Sequence, residues 1–286
     1  MRAPSQLCLR GRLVVIGKQP DGDSIRFVPD TPALLGDLRR ARRIRPSRDG
    51  SVQLRLEGID APETHYSGEA QPLADPARDR LLELCGFESV RHRDQEVIAA
   101  EPVERPAAAL AQMADANGRP VALLLTDENL PADGSYTAVD DALLDRTINA
   151  ALLADGSAYL TLYDSAAPPL RAALRALARD ARGEGGGVWG ADATAAFELR
   201  DQESIGPEGD LVLPKLFRRC TDYLDTRTRG ETLVHWLRTH GDPTRPEDDL
   251  VVIGGRTTVR LSSLIEQRRA EIAFTADLLD FVFVEK

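Results

Sequence analysis

Lysine and cysteine are scarce in this chain of 286 residues. Its lysines are Lys18, Lys215 and Lys286, so nearly all of the 36 basic side chains are arginine. Because the chain is also rich in alanine, genome composition explains this bias better than function does. The three cysteines are few and widely spaced, a pattern that fits neither a disulfide scaffold nor a zinc site.

Long apolar runs are also missing. No stretch has the length of a membrane span, and the first residues lack the apolar core of a secretion signal. These features predict a soluble, cytoplasmic protein with no membrane partner. The formal net charge of −10 argues against a general nucleic-acid coat protein. It still permits a nuclease, because a local basic surface can exist within an acidic protein.

The length predicts two domains, and the pattern over roughly the first 190 residues predicts an α+β fold with a small barrel. Alternating or apolar runs predict strands at 13–16, 24–28, 52–56, 88–99 and 121–125. Helical spacing and alanine content predict helices at 77–84, 106–114, 142–153 and 170–182.

A polar, turn-rich segment at 193–208 predicts the domain boundary. We therefore assign 1–195 to a first domain and 205–286 to a small accessory α+β domain. Within the accessory domain the patterns predict strands at 250–253 and 281–284, and helices at 231–239 and 262–270. No motif there indicates a chemistry.

The segment Asp60-Ala61-Pro62-Glu63 has two interpretations. An Asp cap, a proline in the first turn and an acid three residues after the cap are typical of a helix start. The same residues could instead bring two carboxylates to the mouth of a metal site.

A second acidic turn, Asp21-Gly22-Asp23-Ser24, lies between two predicted strands. In a small barrel this turn could meet the segment that contains Asp60 and Glu63 at one end. Carboxylates that close repel by up to roughly 4 kcal/mol per pair at moderate dielectric, so such a cluster needs a cation or a proton. Ligands that are all oxygen favour calcium or magnesium over zinc.

Arginines accompany the acids. Arg55 precedes Asp60 by five residues and Arg119 follows a predicted turn, and both could bind a phosphate in bidentate fashion. The polar connection 29–50 contains six further arginines between residues 39 and 48. This stretch is either a solvated loop or a flap that attracts phosphate, and its candidate substrate-binding residues are Arg39, Arg40, Arg42 and Arg43.

Together these pieces resemble the staphylococcal nuclease (thermonuclease) family. That family has a D-G-D-T turn, then a strand ending in R-L-x-x-I/V-D-x-P-E, and then a distal Y-G-R. The corresponding stretches here are 21–24, 55–63 and 117–119, and 148–156 resembles the family's V-N-x-x-L-V-x-x-G helix. The order of the pieces holds over about residues 10–192.

The resemblance implies an OB-fold, a five-stranded barrel with packed helices, and a calcium-dependent endonuclease that hydrolyses the phosphodiester bonds of DNA or RNA. By position, Asp23 and Asp60 would bind the calcium ion, with magnesium as the alternative. Glu63 would activate water, and Arg55 and Arg119 would hold the phosphate. Tyr163 loosely matches the family's nucleotide-binding tyrosine.

The chain also departs from the family's pattern. The family prototype has a Lys-Tyr pair before G-R, where this sequence has Ala116-Asn117. This difference and the acidic charge favour the alternative function, a catalytically silent OB-fold module that binds nucleic acid or a protein partner. The accessory domain lies outside the resemblance, and it could mediate homo-oligomer formation or bind a protein partner.

Overall fold

The computed structural model describes residues 5–242 and 245–285. The first ten strands in chain order are β1 (Ser5–Val14), β2 (Ser24–Pro29), β3 (Val52–Leu56), β4 (Ile59–Asp60), β5 (Glu88–Arg93), β6 (Glu96–Glu101), β7 (Glu104–Ala114), β8 (Pro120–Leu125), β9 (Tyr136–Ala138) and β10 (Tyr159–Leu160). The helices of this part are α1 (Ala74–Leu84), α2 (Asp141–Leu144), α3 (Ile148–Ala154), α4 (Pro168–Glu184) and α5 (Val188–Ala191).

Five of these strands form a closed mixed barrel in the order β2-β3-β8-β7-β1, because β1 pairs back with β2. All neighbours are antiparallel except β3 and β8, which are parallel. The alternation in β3 places one face of the strand in the core, since Val52, Leu54 and Leu56 are buried and Gln53 and Arg55 are not. The expected OB-like α+β fold is therefore confirmed.

The helix predicted at 106–114 is wrong, because this segment is part of β7. Alanine favours helices, but tertiary pairing overrides that preference here. The run Ala107 to Ala111 is hydrogen-bonded to β1 on one side and β8 on the other, and its side chains are fully buried.

Other boundaries also differ from prediction. The first strand runs from Ser5 to Val14, so it lies mostly upstream of the predicted 13–16. The predicted strand 88–99 is the hairpin of β5 and β6. The helix predicted at 142–153 is interrupted after Leu144, and the cap residue Thr147 starts α3.

The described residues between 196 and 283 form a β-rich region with two α-helices. Its strands are β11 (Ala196–Glu198), β12 (Gly241–Asp242), β13 (Arg245–Pro246), β14 (Leu250–Ile253), β15 (Thr257–Arg260), β16 (Ile265–Arg268), β17 (Glu271–Phe274) and β18 (Phe281–Phe283), and its helices are α6 (Pro214–Thr226) and α7 (Leu233–Thr239). The predicted helix 262–270 is wrong, because β16 and β17 form a hairpin there in which Arg269 has a left-handed backbone.

Two hydrophobic cores meet in the molecule. One fills the barrel and the helices packed on it, and the other lies beneath α6 and α7. Tyr159 and Val188 belong to the second core, whereas Leu279 and Val282 belong to the first. The C-terminal region is therefore packed against the barrel, although the division into 1–195 and 205–286 stays a prediction. Within the described ranges, no helix combines the length and apolar character needed to cross a membrane.

Candidate active site

A cavity of about 350 Å³ lies between one end of the barrel and α6. Its lining is strongly charged, with seven acidic and five basic side chains. The acidic ones are Asp21, Asp23, Glu57, Glu63, Asp115, Asp249 and Glu285, and the basic ones are Arg55, Arg119, Lys215, Arg218 and Arg219. Acidic groups outnumber basic ones, so the cavity has a formal excess of negative charge.

The two acidic turns meet because Gly22 has no side chain. A Cβ atom at Gly22 would lie 2.6 Å from the Cβ of Ala61, which is too close for any other residue. This contact brings the Asp23 turn against the segment after Asp60. The chain does not continue into a helix there, because β4 ends at Asp60 and α1 begins only at Ala74. The helix-start interpretation of this segment is therefore wrong.

Asp60 is fully buried and paired with two arginines. Its Oδ2 atom accepts a hydrogen bond from Nη2 of Arg218 at 2.9 Å, and its Oδ1 atom lies 3.6 Å from Nη2 of Arg55. Burial alone would raise the pKa of Asp60, but the charges of Arg218 and Arg55 outweigh it and lower that pKa. Asp60 is therefore ionised at neutral pH.

The neighbouring acids behave in the opposite way. Burial, together with the Asp23 and Glu63 carboxylates, raises the pKa of Asp21 to about 8. Burial also raises the pKa of Asp23 to about 6, with Asp60 and Glu63 adding to it while Arg55 and Arg119 oppose it. Burial is therefore the main reason why Asp21 and Asp23 hold their protons, and neighbouring carboxylates add to it.

Arg55 stands on β3 between Ser24 of β2 and Val121 of the parallel strand β8. Its guanidinium group stacks over the Tyr163 ring, with Cζ 5.7 Å from the ring centre. The Nη2 atom is buried and donates no hydrogen bond within the protein. A buried donor without an acceptor is uncommon, and this one belongs to a side chain that lines the cavity.

Arg119 reaches the cavity from the turn between β7 and β8. Asp115 holds it twice, because Oδ2 accepts from Arg119 Nε at 2.8 Å and Oδ1 accepts from its backbone N–H at 2.9 Å. Gly118 in the same turn has φ +81°, and a Cβ atom there would lie 2.2 Å from the carbonyl oxygen of Arg43. The turn therefore packs directly on the arginine-rich segment.

The arginines of that segment border the site without lining it. Among the described lining residues of the cavity, Arg39, Arg40, Arg42 and Arg43 do not occur. Arg40 forms an ion pair with Glu285 at 3.2 Å, and Arg39 and Arg42 are exposed. Their role in substrate binding stays a prediction.

The cavity also contains residues that were not among the sequence candidates, including Tyr66, Lys215 and Arg218. Tyr66 donates a hydrogen bond to Asp222 of α6 at 2.9 Å. Lys215 and Arg218 lie three residues apart on α6, whose other face is buried in the second core. Helical spacing alone groups these two basic residues on one side of an amphipathic helix, but it does not show which acids they meet.

The site residues fit a cation only in part. Asp21, Asp23 and Glu63 present carboxylate oxygens to the cavity, and such oxygens suit a hard cation. Within the residues the structure describes, however, no group of three or more His, Cys, Asp or Glu side chains is arranged to hold a metal ion. Arg218 instead contacts both oxygens of Asp60 and also Glu63.

Comparison with known families agrees with this geometry. Residues 53–191 match the family model described as staphylococcal nuclease homologue. These residues belong to the staphylococcal nuclease homologue family. The match confirms the resemblance for this range and begins downstream of Asp23, although β1 and β2 complete the same barrel.

The nuclease-homologue domain contains Arg55, Asp60, Glu63, Arg119 and Tyr163. The region after residue 191, including α6, lies outside the match. No curated protein matches the chain. The cavity is therefore formed jointly by the nuclease-homologue domain and by a region that the family model does not cover.

Proposed function

We propose that this protein is a metal-dependent nuclease that hydrolyses phosphodiester bonds of DNA, RNA or both. Asp23 and Asp60 would hold a divalent cation, calcium by preference and magnesium as the alternative. Glu63 would take a proton from the attacking water. Arg55 and Arg119 would bind the scissile phosphate and stabilise the negative charge that develops on it.

One observation carries this proposal. Four residues from separate parts of the chain line the same cavity: Asp23, Arg55, Glu63 and Arg119. Asp60 is adjacent to this group, because it forms an ion pair at 2.9 Å with Arg218, which lines the cavity. A barrel needs none of these charged groups at one end for its stability, and three of them lie within the matched family domain. Their convergence therefore supports a chemical role.

The raised pKa values of Asp21 and Asp23 support the cation. Burial first, and repulsion between carboxylates second, disfavour the ionised form of these acids, and a divalent ion would offset both more strongly than one guanidinium group does. When bound, the ion would supply positive charge that polarises a phosphoryl oxygen.

The arginines support the phosphate. Buried Nη2 of Arg55 donates no hydrogen bond within the protein, and a phosphate oxygen is a strong acceptor for such a group. Asp115 orients Arg119 from behind through Nε, which leaves both terminal nitrogens of Arg119 without a hydrogen bond to Asp115. Two guanidinium groups on one cavity can hold a phosphate at more than one oxygen.

A second function has support of its own. Arg218 forms ion pairs with Asp60 and Glu63. If these ion pairs were permanent, the two carboxylates could not bind a cation. The domain would then be a catalytically silent OB-fold module that binds nucleic acid or a protein partner. A homo-oligomer or protein partner formed through the C-terminal region likewise stays a prediction.

A cleavage assay separates these functions. Purified protein is incubated with single-stranded DNA and RNA in calcium, magnesium or chelator. We expect cleavage with metal that stops in chelator and falls by about 10²-fold or more in Glu63→Gln and Arg55→Ala. Glu83→Gln and Arg93→Ala remove the same charges at exposed positions and serve as controls.

The assay tests separately whether the protein is an enzyme and whether the catalytic residues are assigned correctly. No cleavage by the unmodified protein with either metal would contradict the enzyme and leave the binding module. Cleavage that survives in Glu63→Gln or Arg55→Ala would keep the enzyme but contradict the assignment of these residues.

A further inference from the structure

Arg218 of α6 contacts the carboxylates on which the proposed chemistry depends. Its Nη2 atom lies 2.9 Å from Oδ2 and 3.3 Å from Oδ1 of Asp60. Its Nη1 atom lies 3.3 Å from Oδ1 of Asp60 and also donates to Oε1 of Glu63. One guanidinium group thus bridges the proposed cation ligand and the proposed base.

This pairing distinguishes Arg218 from the other basic residues of the helix. Lys215 and Arg219 both approach Asp249, at 3.5 and 3.1 Å, so they are neutralised by an acid of their own region. Arg218 is instead neutralised by acids of the nuclease-homologue domain. The contact therefore does not follow from packing within the C-terminal region.

The helix that carries Arg218 is held firmly against the site. The side chains of Leu216, Phe217 and Cys220 are buried in the second core, which fixes the opposite face of α6 toward the cavity. Gln71, close to Glu63, donates to the carbonyl oxygen of Val212 at 2.7 Å, just before the helix. Helix α6 is therefore fixed in a position that places the guanidinium group of Arg218 against the carboxylates.

We propose that Arg218 and a divalent cation compete for Asp60 and Glu63, so that α6 closes the site until the side chain of Arg218 withdraws. This inference rests on the proposed function. The physical reason is that the same oxygen atoms cannot serve a guanidinium group and a cation together, and the two positive charges repel at short range. The carboxylates of Asp60 and Glu63 therefore bind either the cation or Arg218, but not both.

The withdrawal of Arg218 does not require α6 to move. Arginine has a long side chain with several rotatable bonds, and Arg218 lines the cavity rather than lying beneath it. Glu57 lines the same cavity and offers the displaced guanidinium group another acidic partner. In the proposed competition, a change of the Arg218 rotamer releases Asp60 while α6 stays in place.

Calcium binding measured by isothermal titration calorimetry tests this competition without any substrate. The full-length protein is compared with Arg218→Gln and Arg219→Gln. Arg219→Gln is the matched control, because it removes the same charge from the next residue but leaves Asp60 and Glu63 paired. We expect calcium to bind Arg218→Gln more tightly than the unmodified protein by about tenfold or more, and the control to differ by about threefold or less.

Equal calcium affinity in the unmodified protein and Arg218→Gln would overturn the competition, as would an equal gain in both variants. If Arg218→Gln does not fold, judged by circular dichroism, Arg218→Lys takes its place. Its shorter, single-centred cation cannot bridge both acids, so it should bind calcium more tightly than the unmodified protein, and no gain would overturn the proposal.

The cleavage assay keeps this result separate from the proposed function. Cleavage by the unmodified protein without any gain in calcium affinity would reject the competition and retain the nuclease. Absence of cleavage together with absence of calcium binding in Arg218→Gln would reject both.

Discussion

The Nδ2 atom of Asn149 donates a hydrogen bond to the carbonyl oxygen of Glu57 at 2.9 Å. The same side chain donates to Ala122 at 3.1 Å and accepts from the backbone N–H of Leu124 at 3.0 Å. One buried amide therefore joins α3, β8 and the turn that leads from Arg55 to Asp60. This bond connects the helix of the resembled motif to the candidate site.

Replacing Asn149 by Ala should reduce the free energy of unfolding by about 2–4 kcal/mol, because it leaves buried backbone groups without partners. Urea unfolding followed by circular dichroism measures the change. Asn129→Ala is the control, since Asn129 is exposed. An equally small effect in both variants would show that the amide does not support this turn.

Asp115→Asn should reduce nucleic-acid cleavage by about tenfold, because an amide nitrogen would face Arg119 Nε and misalign a phosphate-binding group. Calcium affinity should stay unchanged, since Asp115 is assigned no role in holding the cation. Cleavage kinetics and calorimetry measure the two effects. Asp127→Asn breaks an exposed arginine pair with Arg146 and serves as the control. A parallel loss of calcium affinity would contradict the positioning role.

The pKa of Asp23, raised to about 6 mainly by burial, makes stability depend on pH. The folded state binds this proton more tightly than the unfolded state, whose carboxyl has an ordinary pKa near 4. Asp23 therefore contributes stability that is fully present below about pH 4 and is lost as pH rises through about 6.

Unfolding of the unmodified protein and Asp23→Asn in chelator, from pH 4 to pH 7, measures this contribution. The difference in unfolding free energy between the two should change by on the order of 2 kcal/mol, with Asp23→Asn gaining relative stability as pH rises. Asp37→Asn, an exposed change, is the control. A pH-independent difference would mean that Asp23 is already ionised in the acidic range.

Changing Arg39, Arg40, Arg42 and Arg43 together to Ser should weaken nucleic-acid binding and flatten its salt dependence. Each lost phosphate contact reduces the slope of log affinity against log salt by about 0.7 for a single strand. Binding is measured in a Glu63→Gln background so that the strand is not cleaved. A second protein with Arg91, Arg93, Arg229 and Arg256 changed to Ser is the control. Equal slopes would identify the segment as a solvated loop.

Much of the fold was predictable from local patterns. Alternation predicted β3, the apolar run at 121–125 predicted β8, and Pro168–Glu184 extends the predicted helix 170–182 by only two residues at each end. The alanine run of β7 was not predictable in this way. Small side chains have no strong strand preference, and only pairing with β1 and β8 makes this segment a strand.

The sequence by itself indicated which residues carry charge at the barrel end, because three separate short motifs contain Asp23, then Arg55, Asp60 and Glu63, and then Arg119. Only the tertiary structure decided how these charges are paired. Arg218 and Asp60 are 158 residues apart, and electrostatic contact at that separation depends on how α6 packs against the barrel. Local spacing contains no information about that packing, so the arginine that pairs with these acids could be identified only in the folded chain.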